Sequence, residues 1–294
     1  LNNGRAEMND FFALVTNPYV VGEYSHALFS GISTTGVLVL AVAAWKYLKD
    51  AVSQEAFRQV LRAGAIYLAV GVMGVMGSGH MHTQYLAEAN PMKLASMEAL
   101  WENADPAPFA VMAVIEQDSL KNSAEIKIPA LFSLMLYNRP AGEVKGINTV
   151  NAEMVAKYGN GDYRPDVFGL FWSFRLMVAS GGAMLFLAFA VGALTWCERL
   201  AKYRYLLKFV PLFLPLPFLA NTAGWFIAEG GRQPWIVVGL QKTADALSPN
   251  ITSTEVWLTL AGFTLLYLLL IAAALYTACR FIRKTSIPLE GRDA

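Results

Sequence analysis

The sequence has little charge and no excess of either sign. Asp, Glu, Lys and Arg make up 15% of its 294 residues and hydrophobic residues make up 55%, whereas a soluble domain carries roughly 25% charged residues. This balance predicts a protein that lies in lipid. Lys plus Arg number 23 and Asp plus Glu number 22, so the sequence lacks the net positive charge that drives binding to nucleic-acid phosphates. We expect no nucleic-acid partner.

Cysteine is scarce, and neither a methionine nor a leader stands at the start. Cys197 and Cys279 are the only cysteines, so we expect no disulfide framework. The first residue is Leu1, and no basic stretch followed by a short apolar core and a cleavage site precedes the polar start. We therefore expect the chain to continue something longer, as a fragment or a split gene product.

Long apolar runs are what the sequence does contain. A hydrocarbon core about 30 Å thick needs about 20 mostly apolar residues in a helix. The stretches that satisfy this are 19–48, 60–77, 167–196, 207–228 and 256–282. The predicted fold class is an all-α integral membrane protein with five transmembrane helices.

Basic residues between the spans predict the orientation. Lys and Arg cluster at 46–62, at 199–208 and at 280–284, and by the positive-inside rule these connections are cytoplasmic. The segment 1–18, the connection 78–166 and the connection 229–255 then face outward. The expected organisation is an outward segment 1–18, a helix pair 19–77, an outward loop 78–166, three helices over 167–282 and a cytoplasmic tail 283–294. The loop 78–166 exceeds the dozen or so residues of a passive connection, and loops of this length are usually functional or disordered. An amphipathic run at 91–101, a charged middle at 116–127 and an apolar patch at 128–137 make it too patterned for a disordered linker, so we expect it to be ordered and functional.

His26 lies about 12 Å inside the first predicted helix. Ionisable residues inside a span are unfavourable and by default functional. Gly22, Ser30 and Ser33 lie on the same helical face and leave room for a flat macrocycle. A histidine satisfied by an interhelical hydrogen bond, beside small residues that allow close helix packing, explains the pattern equally well.

Met177 lies about 15 Å inside the third predicted helix, which is nearly the depth of His26. A His and a Met together are a known pair of axial ligands for haem iron. Two residues earlier, Arg175 could pair with a haem propionate through charge-assisted hydrogen bonds. The alternative is that Met177 fills space, as most methionines in membrane helices do.

Glu229 ends the fourth apolar stretch and precedes two glycines, which let another group approach closely. A carboxylate in this position could bind a high-spin ferric haem. The alternative is an ion pair of Glu229 with Arg232 at the membrane surface, with Trp235 as an aromatic anchor.

Four motifs, in order along the chain, resemble the C-terminal part of cytochrome bd oxidase subunit I. They are KLASMEALW at 93–101, EVKG at 143–146, FWSFRLMV at 171–178 and GRQPW at 231–235. The resemblance runs over nearly the whole chain and implies that its spans are the last five of nine family helices. It also implies a location in the bacterial inner membrane, with the loop 78–166 on the periplasmic face as the quinol-binding loop.

The resemblance implies roles for individual residues. His26 and Met177 match the axial ligands of the low-spin haem b, and Arg175 matches an arginine beside that haem. Glu229 matches a ligand of a high-spin haem, with Arg232 and Trp235 in the same motif as further cofactor-binding residues.

The quinol-binding loop also contains residues that match the family. Lys93 and Glu98 match residues implicated in quinol oxidation, and chemically a carboxylate can accept the hydroxyl proton while an ammonium binds the quinol oxygen. Their spacing does not put them on one helical face. His80 and His82, near the start of the loop, form a weak zinc motif without a third ligand, and we prefer a loop-tip or quinol-site role for them.

The implied function is that of a quinol:oxygen oxidoreductase subunit. Quinol is oxidised at the outer face, and electrons pass through the low-spin haem b to a high-spin pair, haem b and haem d, that reduces O2 to water. The implied partners are subunit II, a small single-helix subunit, ubiquinol or menaquinol, O2 and membrane lipid. The first four family helices have no counterpart here, so two alternatives stay open: a haem-b electron-transfer subunit that handles quinol without reducing oxygen, and a cofactor-free membrane scaffold or transporter half.

Overall fold

A computed structural model describes residues 10–284, and parts of the predicted segments 1–18 and 283–294 lie outside this range. In chain order the elements are α1 (Phe11–Val15), α2 (Pro18–Lys49), α3 (Gln54–Ala89), α4 (Pro91–Met97), β1 (Phe109–Glu116), β2 (Lys121–Ile128), α5 (Leu131–Tyr137), α6 (Ile147–Tyr158), α7 (Val167–Trp196), a 3-10 helix (Arg204–Phe213), α8 (Pro215–Gly230), β3 (Trp235–Val237), β4 (Gln241–Lys242), a 3-10 turn (Thr243–Asp245) and α9 (Ser253–Lys284).

The prediction of an all-α membrane protein with five spans is confirmed. Within residues 10–284, five helical segments are long and apolar enough to cross a membrane, namely α2, α3, α7, α9 and the 3-10 helix taken together with α8. The third predicted span has the same bounds as α7. The fourth predicted span, 207–228, differs because Pro211 and Pro215 lack the backbone N–H that an α-helix needs, and its first seven residues belong to the 3-10 helix.

The long connection begins later than the sequence predicts and contains a small sheet. Helix α3 continues past Gly77 to Ala89, because helical hydrogen bonds satisfy the backbone in water as well as in lipid. His80 and His82 therefore lie on a helix and not on a loop. The charged middle of the connection forms an antiparallel hairpin of β1 and β2, in which Phe109 lies opposite Ile128. From here on, the side of the bundle on which residues 90–166 lie is called the loop side.

Helices α2 and α3 pack with their backbones nearly in contact. A Cβ atom added to Gly36 would lie 2.9 Å from the Cα atom of Leu68, and one added to Gly71 would lie 2.8 Å from the backbone nitrogen of Ser33. Small residues allow this close approach in membrane helices. On the side opposite the loop side, a cluster of buried apolar residues joins α2 and α3 to α7; it includes Val37, Leu40, Leu61, Leu68, Met184 and Leu187.

Replacing Gly71 with Ala should separate α2 from α3. The new Cβ overlaps the Ser33 backbone, and overpacking of this kind typically destabilises by about 1–3 kcal/mol. We expect a lower melting temperature for Gly71→Ala than for the unmodified protein. Gly77→Ala on the same helix is the matched control, because its Cβ meets nothing within 4 Å; equal melting temperatures for the two variants would contradict the close packing.

Candidate functional site

His26 is held on α2 by contacts with α3. Its Nδ1 atom lies 3.3 Å from Ser78 Oγ, and the Ser78 hydroxyl itself donates to the carbonyl of Gly74 at 2.7 Å. Because that hydroxyl proton is used, the Ser78 oxygen can accept an Nδ1–H, and this tautomer leaves the Nε2 lone pair for a metal. The ring lies against Gly79, where an added Cβ would come within 3.1 Å of Cε1.

Helix α8 contacts both of the helices that carry the predicted ligands. The hydroxyl of Ser30, one turn after His26 on α2, donates to Oδ1 of Asn221. One turn along α8 from Asn221, a Cβ atom added to Gly224 would lie 3.4 Å from the sulfur of Met177 on α7.

These contacts place His26 and Met177 at similar levels along α8. His26 lies four residues, or about 6 Å, nearer the loop side than Ser30. Gly224 lies three residues, or about 4.5 Å, nearer the loop side than Asn221. Since Ser30 meets Asn221 and Met177 meets Gly224, the two side chains are within about 2 Å in height.

Met177 packs against an apolar cluster that does not include His26, formed by Met97, Leu170, Phe174 and Ile227. The main contacts of α2 are with α3 and the 3-10 helix, and those of α7 are with α3 and α8. Within residues 10–284, no buried cluster joins the His26 half of α2 to α7. His26 supplies an imidazole nitrogen and Met177 supplies a thioether, from two helices of the same bundle. This donor set fits a low-spin haem.

Arg175 extends from α7 into the loop. Its Nη2 donates to Glu98 Oε2 at 2.7 Å, its Nε donates to the carbonyl of Ala110 at 3.0 Å, and Nη1 and Nη2 make further bonds to the carbonyls of Met97 and Ala110. The guanidinium carbon lies 3.8 Å from the centroid of the Phe171 ring. These bonds use four of the five N–H donors, so one Nη1–H has no acceptor among residues 10–284.

Glu98 is a buried carboxyl at the end of α4. Burial raises the pKa of Glu98 to about 7, and the Arg175 guanidinium and the Ala110 N–H lower it by less. The residue borders a cleft of about 380 Å³ that is also lined by Trp101 and Asn122. Asn122 holds the hairpin in place, because it accepts from Trp101 Nε1 at 2.9 Å. A carboxyl with this pKa, beside a cleft, can accept a proton near neutral pH.

Lys93 has different surroundings from Glu98. Its stem lies over Gly231 at the end of α8, where an added Cβ would come within 2.6 Å of Cγ. Burial lowers the pKa of Lys93, and the Glu23 carboxylate opposes this shift. The structure thus places Lys93 against α8 and Glu98 against Arg175 of α7. Sequence reasoning missed Glu23; its position one turn before His26 on α2 was the available signal.

The end of α8 contains the third group of predicted residues. Glu229 forms an ion pair with Arg232, and about two fifths of each side chain is exposed. Trp235 is buried and stacks on Tyr163, with ring centroids 5.7 Å apart and planes 7° from parallel. Its Nε1–H has no hydrogen-bond partner among the residues that the structure describes, which is unusual for a buried donor.

The two histidines of α3 lie in separate surroundings. His80 Nε2 is 3.2 Å from Asn138 Oδ1, which attaches α3 to the end of α5. The His82 ring packs edge-on against Tyr19 of α2, with centroids 5.3 Å apart.

Comparison with known proteins extends the likeness along the whole chain. A family model described as cytochrome bd terminal oxidase subunit I matches residues 1–286. The chain is 39% identical over 285 residues to cytochrome bd ubiquinol oxidase subunit 1 of Bacillus subtilis (strain 168), which covers 97% of this chain and 61% of that protein. It is 28% identical over 336 residues to cytochrome bd-II ubiquinol oxidase subunit 1 of Escherichia coli (strain K12). That match covers 95% of this chain and 65% of the Escherichia coli protein.

A solved structure is similar over the same extent. The bd oxidase from Geobacillus thermodenitrificans matches with a TM-score of 0.80 and 26% identity, over 97% of this chain and 63% of that one. The chain therefore spans less than two thirds of the length of these relatives.

Replacing Arg175 with Met should leave the Glu98 carboxylate buried without its counter-charge. Their side chains are 10% and 3% exposed, and removing one partner of a buried pair typically destabilises by about 3–5 kcal/mol. Because burial raises the pKa of Glu98 to about 7, the carboxyl takes up a proton below that pH. The loss should therefore be larger at about pH 8 than at about pH 6. Denaturant unfolding of the purified protein at each pH measures this loss in the free energy of unfolding.

The double variant Arg175→Met/Glu98→Gln should recover part of this loss, because it removes the uncompensated charge. The control is Lys145→Met, which breaks the pair with Glu153, whose side chains are 51% and 50% exposed. An exposed pair contributes less than about 1 kcal/mol. Equal losses for Arg175→Met and Lys145→Met, at both pH values, would contradict the buried pair.

Proposed function

We infer the function from one premise: this chain belongs to the cytochrome bd terminal oxidase subunit I family. The chain is a multi-pass membrane protein. We propose that it is the part of a quinol:oxygen oxidoreductase subunit that holds the low-spin haem b and oxidises quinol. The observation that carries the proposal is the level arrangement of His26 and Met177 across α8, with no buried apolar cluster within residues 10–284 that joins the His26 half of α2 to α7.

Three side chains would hold the low-spin haem. His26 would bind the iron through Nε2, with its Nδ1 fixed by Ser78, and Met177 would bind through its sulfur. The Nη1–H of Arg175 that the loop leaves unused would donate to a propionate. When bound, haem b supplies one-electron transfer.

A second group of residues would face the high-spin haems, one of b type and one of d type. Glu229 is the proposed ligand, and its carboxylate is oriented in the structure by Arg232. The buried Nε1–H of Trp235 has no acceptor among the described residues, which favours a polar group of a bound cofactor as its partner. This assignment accounts for a donor that is otherwise left unsatisfied.

The loop would oxidise quinol beside the low-spin haem. Glu98 would take the hydroxyl proton as a general base, since its pKa is raised to about 7 and a base works best near the operating pH. Lys93 would bind a quinol oxygen from the α8 side. The bond of Arg175 to Glu98 joins this base to the helix of Met177, so protonation of Glu98 changes the charge balance near the haem.

The proposed setting is the bacterial inner membrane, with the loop side facing the periplasm. The basic connections at 46–62 and 199–208 would then be cytoplasmic. Subunit II, a small single-helix subunit, ubiquinol or menaquinol, and O2 are the proposed partners and substrates. Protons from quinol would leave on the periplasmic side, close to Glu98.

Replacing either proposed ligand should abolish the low-spin haem b spectrum. The complex is purified with His26→Ala, with Met177→Leu, or unmodified, and reduced-minus-oxidised absorption is recorded with and without carbon monoxide. We expect both variants to lose the low-spin band or convert it to a high-spin form. Met184→Leu on the same helix and His80→Ala on α3 are the controls.

An unchanged low-spin band in His26→Ala or Met177→Leu would contradict the ligand assignment. A low-spin band without any carbon-monoxide-sensitive far-red band in the unmodified complex would favour an electron-transfer subunit that does not reduce oxygen. The absence of every haem band would leave a scaffold as the better interpretation.

Replacing Glu98 with Gln should slow quinol oxidation at the step that removes the proton. General bases typically contribute about 10²-fold or more to rate, so we expect kcat to fall by about that factor with a smaller change in KM. The rise of activity with pH around 7, where Glu98 loses its proton, should also disappear. The control is Glu102→Gln, whose side chain borders the same cleft but is exposed. Equal rates for Glu98→Gln and Glu102→Gln would exclude Glu98 as the base.

A further inference from the structure

A second cleft lies at the opposite end of the bundle from the loop side. It has a volume of about 580 Å³ and is formed where the end of α2 meets the 3-10 helix Arg204–Phe213. Its size falls in the range of about 300–1,000 Å³ that is common for ligand sites. Nothing in the proposed oxidase chemistry uses this cleft.

Three cationic side chains line the cleft. They are Lys49 at the end of α2 and Arg204 and Lys208 on the 3-10 helix. Within residues 10–284, none of the three forms an ion pair with a carboxylate. Three positive charges face one cavity and are not balanced inside it.

The dipole of α2 acts against an anion in this position, because the carbonyl end of a helix carries partial negative charge. Arg204 offsets this effect, since its Nη2 lies 3.5 Å from the carbonyl oxygen of Leu48. Lys49 lies in the last turn of the same helix, where a cation is favourable. The cleft therefore retains a net positive field.

A buried neighbour anchors the backbone that carries two of these cations, Arg204 and Lys208. Leu207, between Arg204 and Lys208, is 1% exposed, and it belongs to the apolar cluster that joins α2, α3 and α7. This anchoring fixes the backbone of Arg204 and Lys208, whose side chains are exposed, so less backbone conformational entropy is lost when an anion binds.

The walls of the cleft suit a lipid better than a free anion. Trp45 and Tyr205 line it and are 37% and 53% exposed, at the end of a span where such rings mark the boundary between lipid and water. Leu48 and Pro211 complete an apolar side. A ligand that fits has a negatively charged head beside the cations and apolar chains that lie along the helices.

We propose that this cleft binds the phosphate headgroup of an anionic phospholipid. Basic pockets between transmembrane helices are known to bind anionic headgroups. Inorganic phosphate offers the same charged group without the acyl chains, so the test must separate the two sources.

The complete complex that contains this chain is placed in nanodiscs of phosphatidylcholine with a small fraction of fluorescent phosphatidylglycerol. Energy transfer from the protein to the fluorescent lipid measures how much phosphatidylglycerol is bound. Each of Lys49→Gln and Lys208→Gln should weaken binding about fivefold, the factor that corresponds to about 1 kcal/mol per cation near a lipid surface. Lys208→Arg keeps the charge and should retain binding.

The matched control is Lys202→Gln, which removes a cation from the same connection but outside the cleft, where Lys202 lies over the Tyr203 ring at 5.3 Å. The haem spectrum of each variant verifies that the complex is folded. Equal weakening by Lys202→Gln would reduce the effect to general surface charge and overturn the proposal. Displacement of the lipid by millimolar inorganic phosphate would show a free-anion site and would also overturn it.

Discussion

The burial of one guanidinium, that of Arg175, holds the loop against the membrane bundle. Taking a cation out of water is unfavourable by several kcal/mol unless its hydrogen bonds are nearly all satisfied. Here the partners come from the end of α4, from β1 and from the Glu98 carboxylate. The positions of α4 and of the hairpin are therefore not independent of α7. Any movement of the loop relative to the bundle must break several of these bonds together.

Close backbone packing between α2 and α3 determines where the histidine of the site can lie. Gly71 and Gly36 let the two helices meet nearly at the backbone, and the same approach brings Gly79 of α3 against the His26 ring. Helices α2 and α3 thus pack as one unit, whereas α2 and α7 are connected mainly through α3 and α8. Among residues 10–284, the apolar cluster joins α2 to α7 on the side away from the loop, and no buried apolar cluster connects the His26 end of α2 to α7.

The spans could be predicted from the sequence because hydropathy is a local property. The third prediction and α7 have the same bounds, but α3 runs on through polar residues to Ala89, where composition no longer distinguishes helix from loop. The types of residue at His26 and Met177 predicted a haem site from the sequence alone, and this ligand pair stays a prediction. The bond between Glu98 and Arg175 could not be predicted, since the two lie 77 residues apart and no periodic pattern links them.

Helix α8 has 16 residues and is therefore about 24 Å long, which is less than the roughly 30 Å of a hydrocarbon core. The ten-residue 3-10 helix before it, at about 2.0 Å per residue, supplies the missing length. This proline-broken stretch thus acts as a spacer that sets the depth of α8. Removing one residue from the 3-10 helix would shift both Asn221 and Gly224 by about 2 Å toward the side opposite the loop side. The distance between Asn221 and Gly224 would not change.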